Sequence, residues 1–197
     1  MKLSILIATV IERADRFAEL YPELMAQAHI NNVYNENKVQ VLFLCDNKEI
    51  SIGAKRQKLL EMAQGEYVVF FDDDDFPESD YISGIMDALA LNPDSVGFKI
   101  KMTTNGKDEK TCCHRFKYKD WAENVDGFDY VRGITHFNPV LCSLALQVGF
   151  KDMRFGEDKD YSDRLMKLVQ NEVYIDKVLF HYRYSNRTEH NKKYGIK

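Results

Sequence analysis

The sequence predicts an α/β fold, with a mainly parallel sheet flanked by helices and a smaller mixed β/helical half. Three β-α units follow one another in the first half of the chain, and such repeats form parallel sheets with right-handed crossovers. The strongest hairpin signal, Asn105-Gly106, lies in the second half, so antiparallel pairing is expected there. The 197 residues fit a single domain. We divide it into a first half at 1–93, a second half at 94–184 and a basic tail at 185–197.

The spacing of apolar residues places the individual elements. In the first half it predicts alternating strands and helices, at about 3–9, 13–28, 39–45, 53–64, 67–71 and 80–92. Ser51 is suited to cap the second helix, because its hydroxyl can accept a hydrogen bond from a free amide of the first turn. In the second half the spacing predicts strands and helices at about 96–104, 111–119, 140–148, 157–169 and 173–182. The charges beside Asn105-Gly106 favour a loop longer than a two-residue turn.

Four adjacent carboxylates, Asp72 to Asp75, follow the apolar run Tyr67–Phe71. Their negative charges repel one another, and folding gains nothing from this arrangement. Mg²⁺ or Mn²⁺ would remove the repulsion, since these hard ions bind carboxylate and phosphate oxygens. In an extended backbone alternate side chains share a face, so Asp72 and Asp74 are expected to meet one ion. The alternative is a solvated acidic turn, because Asp favours turns.

The predicted strand ends converge on one edge of the sheet. In open α/β sheets, ligands bind beyond the carboxyl ends of the strands. Thr9, Asp46 and the four aspartates all lie at such ends. The sequence contains neither G-x-x-x-x-G-K-[ST] nor G-x-G-x-x-G, which argues against a P-loop enzyme or a dinucleotide dehydrogenase. A nucleotide held through a metal ion is therefore expected instead.

Composition excludes several other classes. The net charge of −4 indicates no strong basic field for nucleic acid. The four cysteines have no C-x-x-C spacing, so neither a zinc site nor a disulfide framework is expected. The apolar N-terminal run is too short for a signal peptide or a membrane span. We therefore expect a cytoplasmic protein without stable membrane insertion.

Short motifs run through most of the chain in a fixed order. They are Ile7-Ala8-Thr9 with Arg13, Leu44-Cys45-Asp46, Gly53-Ala54-Lys55-Arg56-Gln57, Ala63-Gln64-Gly65-Glu66-Tyr67, Asp72-Asp73-Asp74, Phe155-Gly156-Glu157-Asp158 and Phe180-His181-Tyr182-Arg183. Together they resemble the motifs of family 2 glycosyltransferases of the GT-A fold. The resemblance implies a hexosyl- or pentosyltransferase that uses a nucleotide-sugar donor, with a UDP-sugar as the expected donor and Mn²⁺ or Mg²⁺ on its diphosphate.

On this resemblance the half at 1–93 is expected to bind the nucleotide sugar, and the half at 94–184 to hold the acceptor and the catalytic residues. The resemblance also implies roles for individual residues. The residues expected near the nucleotide are Thr9, Arg13, Asp46, Arg56, Asp72 and Asp73. The expected metal ligands are Asp72, Asp74 and His181. For Thr9 and His181 an ordinary packed or hydrogen-bonded role in a strand remains open.

Glycosyl transfer needs a base that removes the proton of the attacking hydroxyl. Asp158 is the expected base, with Glu157 beside it in the family's acidic segment. Asp158 precedes Tyr161 by three residues and Leu165 by seven, so we expect it on the inward helix face with Glu157 pointing elsewhere. An inverting reaction is expected. The alternative is that both residues are ordinary acidic residues of a first helical turn.

The acceptor is less constrained by the sequence. Trp121 and His136 are expected to shape its site, although Trp121 would equally suit core packing. A glycan, a protein or a hydroxymethylated DNA base would each offer a hydroxyl, and the acidic net charge weighs against DNA. Two other functions stay open: a nucleotidyltransferase or sugar-phosphate pyrophosphorylase, and a non-catalytic nucleotide-sugar-binding module. The tail could fold over the phosphates or merely aid solubility.

Overall fold

The computed structural model describes residues 1–185. Residues 186–197, and with them the expectation of a tail that covers the phosphates, lie outside the described residues. The described strands are β1 (Leu3–Val10), β2 (Val39–Asp46), β3 (Tyr67–Phe70), β4 (Phe76–Pro77), β5 (Ser95–Thr104), β6 (Lys107–His114), β7 (Ala122–Val125), β8 (Phe128–Arg132), β9 (Val140–Leu141) and β10 (Glu172–Tyr184). The described α-helices are α1 (Ala14–Tyr34), α2 (Ile52–Met62), α3 (Tyr81–Leu89), α4 (Cys142–Val148) and α5 (Glu157–Leu165).

The first half forms the parallel part of one mixed sheet, as predicted. β1 lies between β2 and β3 and is parallel to both, with Leu3 opposite Val39 on one side and Tyr67 on the other. The carboxyl ends of these three strands therefore meet at one edge. The sheet continues in the order β2-β1-β3-β9-β5-β6-β8-β7, with β10 paired to β5 and β4 paired to β10.

The second half adds the antiparallel pairs, and it also contains two parallel pairs, β5 with β10 and β6 with β8. β5 and β6 form a hairpin whose two turn residues, Asn105 and Gly106, have φ angles of 52° and 73°. Two positive φ angles are what the tight two-residue hairpin turn requires. The expected longer loop is therefore wrong, because Asn105 and Gly106 tolerate this backbone despite the charges beside them. β6 also ends at His114, five residues earlier than expected.

Helices cover both faces of the sheet. α1 and α3 bury Leu20, Leu24 and Ile85 on one face, while α2, α4 and α5 bury Leu59, Ala145 and other apolar residues on the opposite face. The Ser51 cap is confirmed: its Oγ accepts a hydrogen bond from the Ala54 amide at 3.0 Å. No helix within residues 1–185 is long and apolar enough to cross a membrane.

Several boundaries differ from the sequence pattern. α1 continues to Tyr34, past Pro22 and beyond the expected end at residue 28, because its inner face stays buried as far as Asn31. α5 ends at Leu165, before the expected residue 169. α4 begins at Cys142, because the two residues before it pair as β9. The short strands β7 and β8 were not expected, since their charged sequences show no clear alternation.

Candidate active site

A first cavity of about 380 Å³ opens at the carboxyl edge of the parallel strands. Backbone and side chains from β1, from the loop after β2 and from α2 form most of its surface. Its lining includes Thr9, Arg13, Lys48, Lys55, Arg56, Asp72, Asp73 and Arg154. Five of the six residues expected near a nucleotide, Thr9, Arg13, Arg56, Asp72 and Asp73, thus line one cavity. The sixth, Asp46, does not line it and forms an ion pair with Lys55.

Lys55 ties two strand ends together beneath this cavity. Its buried ammonium group donates a hydrogen bond to the Thr9 carbonyl at 2.6 Å and another to the Asp46 carboxylate. Burial alone would raise the pKa of Asp46, but Lys55 and the amide of Ile50 hold it below its ordinary value. Sequence reasoning missed Lys55. The available signal was its place in the first turn of α2, directly beside the converging strand ends.

The four aspartates form a tight turn, which we call the acidic turn, instead of continuing β3. The amide of Asp75 donates to the carbonyl of Asp72 at 3.2 Å. The expected alternation survives in the burial pattern: Asp72 and Asp74 are partly exposed, while Asp73 and Asp75 are buried. A turn still separates the two exposed carboxylates, because Asp72 lines the first cavity and Asp74 lines another.

Arginines neutralise much of the charge of the acidic turn. Arg13 Nη1 and Thr9 Oγ1 each donate to the Asp73 carboxylate at 2.7 Å. Burial raises the pKa of Asp73, and these two bonds oppose that rise. Arg16 Nη1 donates to Asp74 at 3.1 Å. The repulsion that suggested a metal ion is therefore also reduced by guanidinium groups from distant parts of the chain.

The last carboxylate of the acidic turn is the most deeply buried. Asp75 accepts a hydrogen bond from the Arg183 amide at 2.8 Å, and its Oδ2 has no partner within the described residues. Burial and the neighbouring charges of Asp74 and Asp72 raise the pKa of Asp75 well above its ordinary value. Asp75 therefore has a structural position beneath the turn and does not face the first cavity.

A buried polar cluster connects the acidic turn to the start of α5. Arg56 Nη1 donates to Glu157 at 2.7 Å, and Arg56 Nη2 donates to Asp72 at 2.8 Å. The Nε2 atom of His136 lies 3.1 Å from Arg56 Nη2 and 3.6 Å from the Asp72 carboxylate. Burial alone would raise the pKa of Asp72, but Arg56 and His136 hold it well below its ordinary value. Asp72 therefore stays ionised at the edge of the first cavity.

A second cavity of about 230 Å³ lies on the other side of this cluster. His136 and Asp158 line it, so the polar cluster separates the two cavities. Aromatic side chains and one arginine dominate the rest of the lining, which includes His114, Trp121, Tyr130, Arg132, Phe137 and Tyr182. Trp121 is 41% exposed and does not belong to the core. The structure thus brings together Trp121, His136 and Asp158, the residues expected at the acceptor and the base.

The orientation expected for the acidic pair at the start of α5 is wrong in one respect. Glu157 is the buried member, because it lies four and eight residues before the buried Tyr161 and Leu165. Asp158 is only partly buried and faces the second cavity. Spacing alone did not distinguish the two, since three- and four-residue separations both place side chains on one helix face.

A third cavity of about 210 Å³ contains the other two expected metal ligands. Asp74 and His181 both line it, together with Arg16 and Arg183. His181 Nε2 lies 2.9 Å from Thr103 Oγ1, and burial together with Lys101 and Arg183 lowers its pKa. Within residues 1–185, no three His, Cys, Asp or Glu side chains form a group able to hold a metal ion. The expected set of Asp72, Asp74 and His181 is therefore divided between two cavities.

The fold has counterparts among solved structures. S. aureus TarS residues 1–349 in complex with UDP-GlcNAc aligns with a TM-score of 0.66 and 16% identity, covering 94% of this chain and 59% of that one. The same fragment in complex with UDP gives 0.66 and 17%, covering 94% and 61%. At this identity the similarity establishes the α/β GT-A fold, as predicted. The chain spans about 60% of the length of these structures.

The family itself is identified at the level of sequence. A comparison with curated proteins gave no match. A sequence profile described as glycosyl transferase family 2 matches residues 21–153, more than half of the chain. The match includes Arg56, the acidic turn and His136, whereas Thr9 and Asp158 lie outside it. The chain therefore belongs to glycosyl transferase family 2.

Proposed function

We propose that this protein transfers a sugar from a UDP-sugar to an acceptor hydroxyl, with inversion at the anomeric carbon and with a divalent metal ion. The observation that carries the proposal is the pair of cavities on either side of the buried polar cluster around Arg56. One cavity lies at the strand ends, where α/β folds bind nucleotides. The other contains a carboxylate, Asp158, that can act as a base.

The first cavity suits a nucleoside diphosphate. Basic side chains surround its opening, and Lys48 and Arg154 come from two different loops. Among residues 1–185, Arg154 makes only long hydrogen bonds, of 3.4 and 3.5 Å, to the carbonyl of Lys48, so its charge is available to a phosphate. Thr9 and Lys55 form the deeper surface on which a base and ribose would lie. The bound UDP and UDP-GlcNAc of the TarS structures support a uridine nucleotide as the donor.

Of the carboxylates that line the first cavity, which are Glu12, Asp72 and Asp73, Asp72 is the one we assign to the metal ion. Asp72 is ionised, and its side chain is partly exposed there. Mg²⁺ commonly takes only one or two carboxylates and fills its remaining positions with water and substrate phosphates, so a three-residue protein site is not required. When bound, the ion would stabilise the negative charge that grows on the departing diphosphate. That Asp74 and His181 also bind the ion stays a prediction.

In the second cavity Asp158 accepts the proton of the attacking hydroxyl. Its neighbour Glu157 is held by Arg56, which fixes the start of α5 and so the position of the base. The acceptor would attack from the second cavity while the diphosphate leaves towards the first. Attack opposite to the leaving group inverts the anomeric carbon, and holding both reactants in line accounts for a large part of the rate.

The lining of the second cavity favours a glycan among the possible acceptors. Trp121 is partly exposed and lines this cavity, and an aromatic ring is a surface on which a sugar ring can stack. A protein side chain or a hydroxymethylated DNA base would use the same base, Asp158. The small volume of the cavity suits one sugar unit better than a nucleotide flipped out of a duplex.

Calorimetric titration with UDP tests the donor assignment. We expect UDP to bind with Mn²⁺ or Mg²⁺ present, and GDP or ADP to bind more weakly. The Ala8→Phe variant places a ring in the first cavity and should lose binding. The Ala90→Phe variant adds the same ring at an exposed position on the end of α3 and should bind normally. No UDP binding by the unmodified chain with either ion, or equal binding by Ala8→Phe, would contradict the proposal.

A further inference from the structure

Arg132, at the end of β8, has an unusual set of partners in the second cavity. Its Nη1 donates to the carbonyls of Ala122 at 3.3 Å and Val131 at 2.8 Å. Its guanidinium carbon lies 4.6 Å from the ring centroid of Trp121 and 5.5 Å from that of Tyr130. No ion pair within residues 1–185 includes Arg132, although Asp158 lines the same cavity. The guanidinium is therefore held firmly, but without a neutralising carboxylate.

A comparison with the other arginines shows that the lack of a carboxylate partner is unusual in this protein. Residues 1–185 contain eight arginines, and six of them pair with a carboxylate. The two exceptions are Arg154 and Arg132. Arg154 lines the first cavity, where the proposed function places the diphosphate of the donor. Arg132 lines the second, so each cavity contains one arginine whose charge is left for a ligand.

The surroundings of Arg132 indicate the chemistry of that ligand. Ile100, Met102 and Cys112 make part of the cavity apolar, which disfavours a cation without a partner. The Nε and Nη2 atoms of Arg132 make no hydrogen bond within the described residues. Such a planar pair of donors matches a carboxylate or a phosphate, which it can bind through two parallel hydrogen bonds.

We propose that Arg132 binds an anionic group of the acceptor, either a carboxylate or a phosphate ester carried by a sugar unit that stacks on Trp121. This contact would orient a neighbouring hydroxyl towards Asp158 in the same cavity. The inference rests on the proposed glycosyl transfer and narrows its acceptor to an anionic saccharide.

Trp121 makes a direct test possible, because it is the only tryptophan in the chain. Its fluorescence is followed during titration with glucuronate, glucose 6-phosphate and neutral glucose, with the first cavity saturated by UDP and Mg²⁺. We expect the anionic sugars to change the fluorescence at concentrations at least about tenfold lower than glucose does, because a charge-assisted hydrogen bond strengthens their binding. A lower midpoint for glucuronate would identify a carboxylate, and a lower midpoint for glucose 6-phosphate a phosphate.

Variants test whether Arg132 causes the preference for anionic sugars over glucose. Arg132→Gln should remove it, and Arg132→Lys should retain only part of it, because a lysine lacks the planar fork. Lys119→Gln removes one positive charge from an exposed position outside the cavity and should behave like the unmodified chain. Thermal melting of each variant checks that the fold is retained.

Two results would overturn the inference. One is an equal response to glucose and to both anionic sugars in the unmodified chain. The other is an unchanged anion preference in Arg132→Gln. Calorimetry with UDP separates this failure from failure of the proposed function, because donor binding does not depend on Arg132.

Discussion

Replacement of Arg56 by Met tests whether one buried arginine holds the two halves of the site together. Arg56 is 4% exposed and contacts Asp72 at the start of the acidic turn and Glu157 at the start of α5. Methionine fills a similar volume without charge. The substitution leaves two carboxylates without their guanidinium partner.

The expected loss of stability follows from the burial of those carboxylates. The side chain of Glu157 is only 8% exposed, whereas that of Asp72 is 29% exposed and keeps His136 nearby. Removing one partner of a buried pair costs about 3–5 kcal/mol, because the other charge stays buried and uncompensated. We expect most of this cost to come from Glu157. It would be a large part of the roughly 5–15 kcal/mol that stabilises a typical domain.

Urea denaturation measures this cost as a loss in the free energy of unfolding. The double variant Arg56→Met/Glu157→Met should be more stable than Arg56→Met alone, since an apolar pair can replace a buried ion pair at little cost. Lys159→Met, which removes one partner of the exposed pair with Asp163, should change stability by less than about 1 kcal/mol. A loss below about 1 kcal/mol in Arg56→Met, or strictly additive effects in the double variant, would refute the reasoning.

Three further predictions concern chemistry and protonation. Asp158→Asn should keep the fold and UDP affinity but lower turnover about 10²- to 10⁴-fold in a nucleotide-release assay, and unchanged turnover would move the base elsewhere. Asp72→Asn should abolish the gain in UDP affinity that Mn²⁺ gives in calorimetry, and a persisting gain would exclude Asp72 as a ligand. Burial, Arg132 and His136 lower the pKa of His114 from 6.5 to about 3, so between these values only the unfolded chain takes up the proton. The free energy of unfolding should therefore decrease as the pH falls below 6.5, by up to about 1.4 kcal/mol per pH unit. The decrease should be less steep in His114→Gln, and in the variant His29→Gln, at an exposed position, it should be as steep as in the unmodified chain.

Local patterns were sufficient to predict the framework of the fold. The period of apolar residues and the cap at Ser51 located the β-α units, and parallel pairing then brought the strand ends together. Thr9 and Asp73 are 64 residues apart in sequence and form a direct hydrogen bond. That contact follows from a general property of α/β sheets, so it could be anticipated from one chain.

The partners of the acidic turn could not be anticipated in the same way. Arg16 lies on α1 and Arg183 on β10, and no local pattern indicates that both reach Asp74 and Asp75. The repulsion argument therefore considered a metal ion as the only source of positive charge. The role that we propose for Arg132 could not be anticipated for a related reason. The absence of an ion pair can be recognised only when the neighbours of the side chain are known.

Turnover of a panel of nucleotide sugars, with and without Mn²⁺, tests the central claim most directly. The assay measures the nucleoside diphosphate and the pyrophosphate that are released, in the unmodified chain and in Asp158→Asn. The account predicts release of UDP from at least one UDP-sugar, dependent on Mn²⁺ or Mg²⁺ and strongly reduced in Asp158→Asn. Release of pyrophosphate would instead indicate nucleotidyl transfer. Tight binding of UDP-sugars without any turnover, even with anionic and neutral saccharide acceptors present, would show a binding module and contradict the account.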